Sequence, residues 1–118
     1  MRGEGEKMAE SEVLDRLFQV IESRRLERPD GSYVVSLFDG GLEAVSAKVR
    51  EEAEETIEAA ESGDAEHCAR EAADLLFHLW VLLSSTGLKP VDVYSVLEDR
   101  FGVGGLAEKA ARGASDVG

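Results

Sequence analysis

The chain has 118 residues, with 25 acidic side chains against 13 lysines and arginines, and its net charge is −12. This length indicates one domain with a sizeable core, although a domain this small would gain stability from oligomerisation. The acidic balance argues against a nucleic-acid-binding or anionic-membrane surface, since both require clustered basic side chains. An anionic substrate would therefore need a cation at its binding site.

The sequence carries no signal for export or membrane insertion. No apolar run reaches the roughly 18 residues of a membrane span, and segment 1–10 lacks the apolar core of a signal peptide. We therefore expect a cytoplasmic protein. Cys68 is the single cysteine and falls on an apolar helix face, which indicates a buried core thiol and excludes an intrachain disulfide.

Helical periodicity begins after a polar segment, 1–10, that we expect to be flexible. The first helix ends near Arg25, can be capped by Ser11, and has apolar residues at i, i+3, i+4 and i+7, which are Leu14, Leu17, Phe18 and Ile21. Residues 26–41 contain Pro29-Asp30-Gly31 and Gly40-Gly41, which predict a turn-rich connection. Such a connection is either a binding loop or a surface linker.

Two long helices follow, joined at Ser62-Gly63-Asp64. Gly63 suits the C′ position that ends the first helix, Asp64 suits the N-cap of the second, and Thr86-Gly87 ends the second helix. Pro90 suits the first turn of one more helix. The predicted fold is all-α, with four to five helices around a central antiparallel hairpin, in a domain spanning 11–101. Residues 102–118 are expected to form a tail with at most one short helix, at 106–112.

Two pairs of carboxylates flank the predicted turn. Glu52 and Glu55 precede it, Glu71 and Asp74 follow it, and i, i+3 spacing places each pair on one helix face. Glu55 and Glu71 are both eight residues from Gly63, whereas Glu52 and Asp74 are both eleven residues away. In antiparallel helices the members of each equidistant pair lie level, so we expect four carboxylates to converge.

The second pair is the stronger signal for a site. In a glutamate-rich helix, an E-x-x-E pattern arises easily by chance, whereas Glu71 and Asp74 interrupt a helix that is otherwise largely apolar. His78 lies one turn beyond Asp74, and taken alone such a histidine is more often a satisfied core residue than a catalyst. Lys48 can either meet a phosphate or pair with Glu52 at i, i+4.

Converging carboxylates indicate a cation, because without one they would repel each other and raise each other's pKa values. Oxygen ligands suit Mg²⁺ or Mn²⁺ better than Zn²⁺. Magnesium commonly joins protein carboxylates to substrate phosphates, so a nucleotide is the expected substrate. Water activated at this site, by the metal or by a carboxylate, would hydrolyse a phosphoanhydride. No glycine-rich phosphate loop supports P-loop chemistry.

The acidic motifs resemble those of a known superfamily. Glu51-Glu52-Ala53-Glu54-Glu55 with Glu71-Ala72-Ala73-Asp74 resembles the E-x-x-E, E-x-x-D signature of the all-α, MazG-like nucleoside triphosphate pyrophosphohydrolases. Over residues 17–100, the stretches Pro29-Asp30-Gly31-Ser32-Tyr33 and Asp74-Leu75-Leu76-Phe77-His78-Leu79 are similar to the phosphoribosyl-ATP pyrophosphatase family.

This resemblance implies a reaction and an assembly. The reaction is the second step of histidine biosynthesis, the Mg²⁺-dependent hydrolysis of phosphoribosyl-ATP between its α and β phosphates to phosphoribosyl-AMP and pyrophosphate. The assembly is a homodimer with interleaved helices. The implied metal ligands are Glu52, Glu55, Glu71 and Asp74, and one of these or Glu51 is implied to orient the water. The residues placed on the substrate side are Lys48, Ser32, Tyr33 and His78.

Two positions depart from the family pattern, and two other functions remain open. Arg50 occupies a position where the family has glycine, and Gly40 one where it usually has a basic residue. The first alternative function is a house-cleaning enzyme that converts free nucleoside triphosphates to monophosphates. The second is a non-enzymatic helical dimerisation module. The sequence of the Ser32-Tyr33 loop favours the phosphoribosyl-ATP enzyme over the first alternative.

Overall fold

The computed structural model describes residues 10–101, which contain five α-helices and one turn of 3₁₀-helix, and no strand. After the 3₁₀ turn at Glu10–Glu12, the helices are α1 Val13–Glu27, α2 Tyr33–Asp39, α3 Gly41–Ser62, α4 Ala65–Ser85 and α5 Pro90–Phe101. Within the described part of the chain, none of these helices has both the length and the apolar character needed to cross a membrane. The predicted all-α fold is confirmed.

The start of α1 differs from the prediction. Ser11 falls inside the 3₁₀ turn, and the residue preceding α1 is Glu12, which makes no capping hydrogen bond with its side chain. The helix continues to Glu27 and ends where Arg28 adopts a left-handed conformation with φ 50°. The amide of Arg28 donates to the carbonyl of Arg24 at 2.9 Å, which closes the last turn.

The predicted connection at 26–41 was wrong at Tyr33–Asp39, because these seven residues form α2. The hydroxyl of Ser32 accepts a hydrogen bond from the amide of Val35 at 3.3 Å and so caps the start of this helix. Val34 and Leu37 are buried at i, i+3 spacing. Packing of this short apolar face outweighs the β preference of Tyr33-Val34-Val35, which propensity alone interprets as extended.

The turn between α3 and α4 has the predicted chemistry. Gly63 has a left-handed φ of 81°, and its amide donates to the last carbonyls of α3. Asp64 follows in an extended conformation, and its carboxylate accepts from the amide of His67 at 3.0 Å. The first helix therefore ends and the second begins within two residues, which makes α3 and α4 an antiparallel hairpin.

The core between α1, α3 and α4 is small and largely aliphatic. Ile21, Val45 and Val81 are its fully buried large side chains among the described residues. Trp80 is also buried, and its indole N–H donates to the main-chain oxygen of Leu14 at 2.9 Å, which ties α4 to α1. This satisfies the one polar group of the indole, as burial requires.

The apolar side chains of α3 and α4 are only partly covered within one chain. Val45 is buried, but Leu42 and Ile57 are each about half exposed, and Leu76 on α4 is also exposed. The structure thus leaves apolar side chains of the hairpin open to solvent.

The chain divides into two compact units, one ending at Leu88 and one beginning at Lys89. In the second unit, α5 begins at Pro90 as predicted, and the carboxylate of Asp92 accepts from the amide of Lys89 at 2.8 Å. The expected flexible segment 1–10 falls outside the described residues except for Glu10, and the tail 102–118 with its short helix lies wholly outside them. The single domain over 11–101 stays a prediction.

We expect Gly63→Ala to destabilise the protein by about 1 kcal/mol, because a side chain is disfavoured in the left-handed region. A Cβ at this position meets nothing within 4 Å, so the cost is conformational and not steric. Urea unfolding measures it. Gly63→Asn is the matched control, since asparagine tolerates this conformation better, and it should lose less stability. Equal losses in the two variants would contradict this account of the turn.

Candidate active site

Three glutamates converge where α3 packs against α4. One carboxylate oxygen from each of Glu52, Glu55 and Glu71 lies within 4.8 Å of the other two. Glu52 and Glu55 come from α3 and Glu71 comes from α4, so the turn at Gly63 sets their common level. Glu52 is only 7% exposed, which is unusual for a glutamate. The structure therefore brings together three of the four predicted carboxylates.

Two oxygen atoms in this cluster are buried without a partner. Among the described residues, Oε1 of Glu52 and Oε1 of Glu71 have no hydrogen-bond donor. An unsatisfied buried carboxylate oxygen is costly, and the cost falls when a cation supplies the missing interaction. A set of carboxylate oxygens is also the donor set preferred by Mg²⁺ and Mn²⁺. These residues therefore fit a hard divalent cation.

The crowding of acids changes the protonation of Glu71. Hydrogen bonding to Glu52 and then to Glu55, together with burial and the negative charge of both neighbours, raises the pKa of Glu71 from 4.5 to about 7. A hydrogen bond between two carboxyl groups requires a proton on one of them. Without a cation, the cluster therefore relieves its repulsion by retaining a proton near neutral pH.

Asp74 and Glu51 lie outside this group of three. The side chain of Asp74 is exposed on α4, and its main-chain oxygen is engaged by His78. Glu51 is exposed on α3, and its carboxylate pairs with the ammonium of Lys48 at 2.6 Å. Hydrogen bonding from Lys48 lowers the pKa of Glu51, so this carboxylate stays ionised. The predicted metal role of Asp74 and the water-orienting role of Glu51 stay predictions.

Lys48 is a cation held beside the cluster. Its ammonium lies 2.6 Å from Glu51 and 3.4 Å from Glu52, so the i, i+4 pairing with Glu52 is present. The hydrogen bond to Glu51 raises the pKa of Lys48 above its ordinary value. The lysine therefore remains charged at neutral pH, and it lies one helical turn before the buried Glu52.

The predicted substrate-side residues form a small aromatic group. The phenolic oxygen of Tyr33 lies 2.7 Å from Nε2 of His78, and the ring of Phe77 stacks on the tyrosine with centroids 6.0 Å apart. Burial raises the pKa of Tyr33. The hydroxyl of Ser32 is used as the cap of α2, so its predicted contact with substrate would compete with that bond.

A groove of about 660 Å³ adjoins this aromatic group. Its lining residues are Arg28, Pro29, Asp30, Gly31, Ser32, Tyr33, Val35, Ser36 and Asp39. The guanidinium of Arg28 donates to both carboxylate oxygens of Asp39, at 2.8 and 3.0 Å. Sequence reasoning missed Arg28, because the two residues are eleven positions apart across a segment interpreted as a loop. No spacing rule pairs them, and only the presence of α2 brings them together.

The two departures from the family pattern have simple structural consequences. Gly40 is close to α3: a Cβ at this position would lie 2.6 Å from the Cβ of Ala44, so any larger residue would require a backbone shift. Arg50 is exposed in the body of α3, which begins at Gly41, so it does not crowd the start of the helix.

Paired acidic motifs on an antiparallel helix hairpin define the class of all-α nucleoside triphosphate pyrophosphohydrolases. Within that class, the family profile of phosphoribosyl-ATP pyrophosphohydrolase matches residues 14–101, and the chain belongs to this family.

Curated relatives agree with this assignment. The phosphoribosyl-ATP pyrophosphatase of Methylococcus capsulatus is 48% identical over 101 residues, which cover 86% of this chain and 96% of the relative. Proteins with the same name from Rhizorhabdus wittichii and Rhodopirellula baltica are 50% and 46% identical, covering 85% and 86% of this chain and 94% and 87% of the relatives.

The raised pKa of Glu71 predicts how the stability of metal-free protein depends on pH. Below pH 4.5 this group is protonated in both the folded and unfolded states and contributes nothing. Between pH 4.5 and about 7 the unfolded chain has lost the proton that the folded protein retains, so stability falls as pH rises. Above about pH 7 this loss is complete.

Glu71→Gln mimics the protonated carboxyl, so with a chelator present its melting temperature should exceed that of the natural protein above pH 7 and match it near pH 4.5. Thermal unfolding followed by circular dichroism across this range measures the difference. The control is Glu54→Gln, which changes an exposed glutamate of α3. If Glu71→Gln and the natural protein showed parallel curves, the shared proton would be excluded.

Proposed function

We propose that this protein hydrolyses phosphoribosyl-ATP between its α and β phosphates, producing phosphoribosyl-AMP and pyrophosphate in histidine biosynthesis. The observation that carries the proposal is the convergence of Glu52, Glu55 and Glu71, with two unpartnered buried oxygens, in a chain that belongs to the phosphoribosyl-ATP pyrophosphohydrolase family. The matched relatives carry the name phosphoribosyl-ATP pyrophosphatase and are covered over nearly their whole length, which supports the same activity for this chain.

We infer that the cofactor is Mg²⁺, with Mn²⁺ as a substitute. Glu52, Glu55 and Glu71 are the proposed ligands, and Asp74, one helical turn from Glu71, is proposed to join them when a cation and substrate are bound. A divalent cation bound here would offset the charge of the phosphate oxygens and of the leaving pyrophosphate. The choice of Mg²⁺ follows from the all-oxygen ligand set and from its affinity for phosphates.

The reaction adds one water molecule across one anhydride bond. The oxygen of the water forms a bond to the α phosphorus, and the bond from this phosphorus to the bridging oxygen breaks. Pyrophosphate then leaves with the bridging oxygen. A carboxylate of the site, from the metal-binding group or from Glu51, is proposed to hold the attacking water and take its proton. The raised pKa of Glu71 indicates that one acid of this cluster can hold a proton near neutral pH.

Lys48 and the groove beside α2 are proposed to bind the nucleotide. The chain carries a net charge of −12, so local cations are needed to bring a polyanion to an acidic cluster. Lys48 lies next to Glu52, and Arg28 lines the groove together with Ser32 and Tyr33. These groups can contact phosphates and sugar while the carboxylates act on the anhydride. A cytoplasmic location remains a prediction from the sequence.

We further infer that the protein forms a homodimer through the hairpin of α3 and α4. Leu42, Ile57 and Leu76 are exposed apolar side chains of these two helices, and burying such residues is the usual driving force of a stable subunit interface.

The first test of the activity is pyrophosphate release with Mg²⁺, comparing phosphoribosyl-ATP with ATP, dATP and dUTP. We expect turnover of phosphoribosyl-ATP only. Glu52→Gln should lose at least about 100-fold in kcat, because altering even outer partners of a metal costs up to that amount. Glu54→Gln, an exposed glutamate on the same helix, should retain activity. Turnover of the free triphosphates instead would assign the protein to nucleotide-pool cleansing.

The second test is sedimentation at micromolar concentration, for which we expect twice the chain mass of 12.8 kDa. Ile57→Glu places a charge in the proposed interface and should shift the mass towards that of the monomer. Leu26→Glu is the matched control, because Leu26 is an exposed apolar residue near the end of α1 and is not part of α3 or α4. A monomeric mass for the unaltered protein would refute the dimer.

A further inference from the structure

A buried histidine connects α2 to the helix that carries Glu71. His78 is only 4% exposed, and both of its ring nitrogens are engaged. Nδ1 lies 2.7 Å from the main-chain oxygen of Asp74, one turn earlier in α4, and Nε2 lies 2.7 Å from the phenolic oxygen of Tyr33. Both distances are those of well-formed hydrogen bonds.

The carbonyl of Asp74 determines which ring nitrogen carries the proton. A carbonyl oxygen can only accept, so Nδ1 of His78 must donate to it. In the neutral imidazole, Nε2 is then an acceptor. The hydroxyl of Tyr33 therefore donates its single proton to His78, and burial, which raises the pKa of this phenol, keeps that proton in place.

We propose that His78 is a positioning residue that acts through Tyr33, and that Tyr33 accepts a hydrogen bond from a hydroxyl or amino group of the nucleotide. With its proton committed to His78, the phenolic oxygen has only lone pairs to offer a ligand, which suit a donor and not a phosphate oxygen. His78 is too deeply buried to make the contact itself. This inference refines the substrate side of the proposed function and rests on it.

The tyrosine lines the groove beside α2 and lies within electrostatic reach of the carboxylate cluster. Tyr33 is 48% exposed and lines the groove of about 660 Å³. It is also near enough to Lys48 and Glu52 for their charges to act on its hydroxyl. Phe77 stacks on one side of the ring with an interplanar angle of 19°, and His78 meets the edge of Phe77 at 88°. The ring is thus held by packing as well as by its hydrogen bond.

Two substitutions of His78 separate its two bonds. In His78→Asn the side-chain amide can still donate to the carbonyl of Asp74, but it is too short to reach Tyr33. In His78→Gln the longer side chain can still accept from Tyr33. We expect His78→Asn to lower kcat/KM for phosphoribosyl-ATP about three- to tenfold, mainly through KM, and His78→Gln to restore most of it.

Tyr33→Phe should cause a similar loss, and adding His78→Asn to it should cause no further loss, because both remove the same contact. Losses that multiply in the double variant, or a His78→Gln variant as impaired as His78→Asn, would overturn the positioning role.

Inhibition by product-like molecules tests the acceptor role of Tyr33. If a ribose hydroxyl is the donor, 2′- or 3′-deoxy AMP should bind about three- to tenfold more weakly than AMP, and Tyr33→Phe should remove that difference. If the amino group of the base is the donor, purine riboside monophosphate, which lacks this group, should instead bind more weakly than AMP, and Tyr33→Phe should remove that difference. Inhibition by inorganic pyrophosphate should be unaltered by Tyr33→Phe. Two results would overturn the acceptor assignment. One is weaker inhibition of Tyr33→Phe by pyrophosphate, and the other is the absence of any analogue whose weaker binding, relative to AMP, is abolished by Tyr33→Phe.

The tautomer is measurable without turnover, substrate or metal. Nitrogen NMR of the imidazoles should show His78 protonated at Nδ1 only, with the signals of the second histidine identified by a His67→Gln variant. Protonation at Nε2, alone or in addition, would refute the proposal. Because this measurement is independent of activity, failure to hydrolyse phosphoribosyl-ATP would count against the proposed function and leave the hydrogen-bond assignment standing.

Discussion

The main constraint on this structure is that three carboxylates are held close together at the contact between α3 and α4. Glu52, Glu55 and Glu71 repel each other when ionised, and two of their oxygens are buried without a partner among the described residues. The cluster destabilises the fold locally. Burial of aliphatic side chains such as Ile21 and Val45 and the well-capped turn between the helices offset this loss of stability. A divalent cation bound here would offset this repulsion, and it would also let a strongly acidic protein bind a polyanionic substrate.

The second organising contact runs from Tyr33 to His78. It joins the first turn of α2 to α4, the helix that also carries Glu71. The groove beside α2 and the acidic cluster are therefore both attached to α4. The hydrogen-bonded pair Arg28 and Asp39 also lines this groove. A substrate that spans the groove and the cluster would therefore meet both parts of the site in a constant relationship, which is the condition for positioning an anhydride against fixed carboxylates.

Sequence reasoning was most successful where the determining interactions are local. The turn at Gly63 and Asp64 depends on one left-handed residue and one cap, and both were predicted from residue type. The prediction failed for α2, because this helix is short, starts with residues of β preference and is stabilised mainly by burying Val34 and Leu37 against other helices. Helix and strand propensities summed over seven residues contain no information about that packing.

For the site, the sequence by itself predicted two level pairs of acids on two antiparallel helices, because helical rise and a short turn fix the position of each residue along the axis. Only the tertiary structure decided how they differ. The rotation of each helix about its axis, which is set by packing against α1 and α2, buries Glu52 and leaves Asp74 exposed. It also carries His78 inward to meet Tyr33, 45 residues earlier in the chain. Spacing along a helix is a local property of the backbone, whereas burial and long-range hydrogen bonds depend on which neighbouring elements pack against each face.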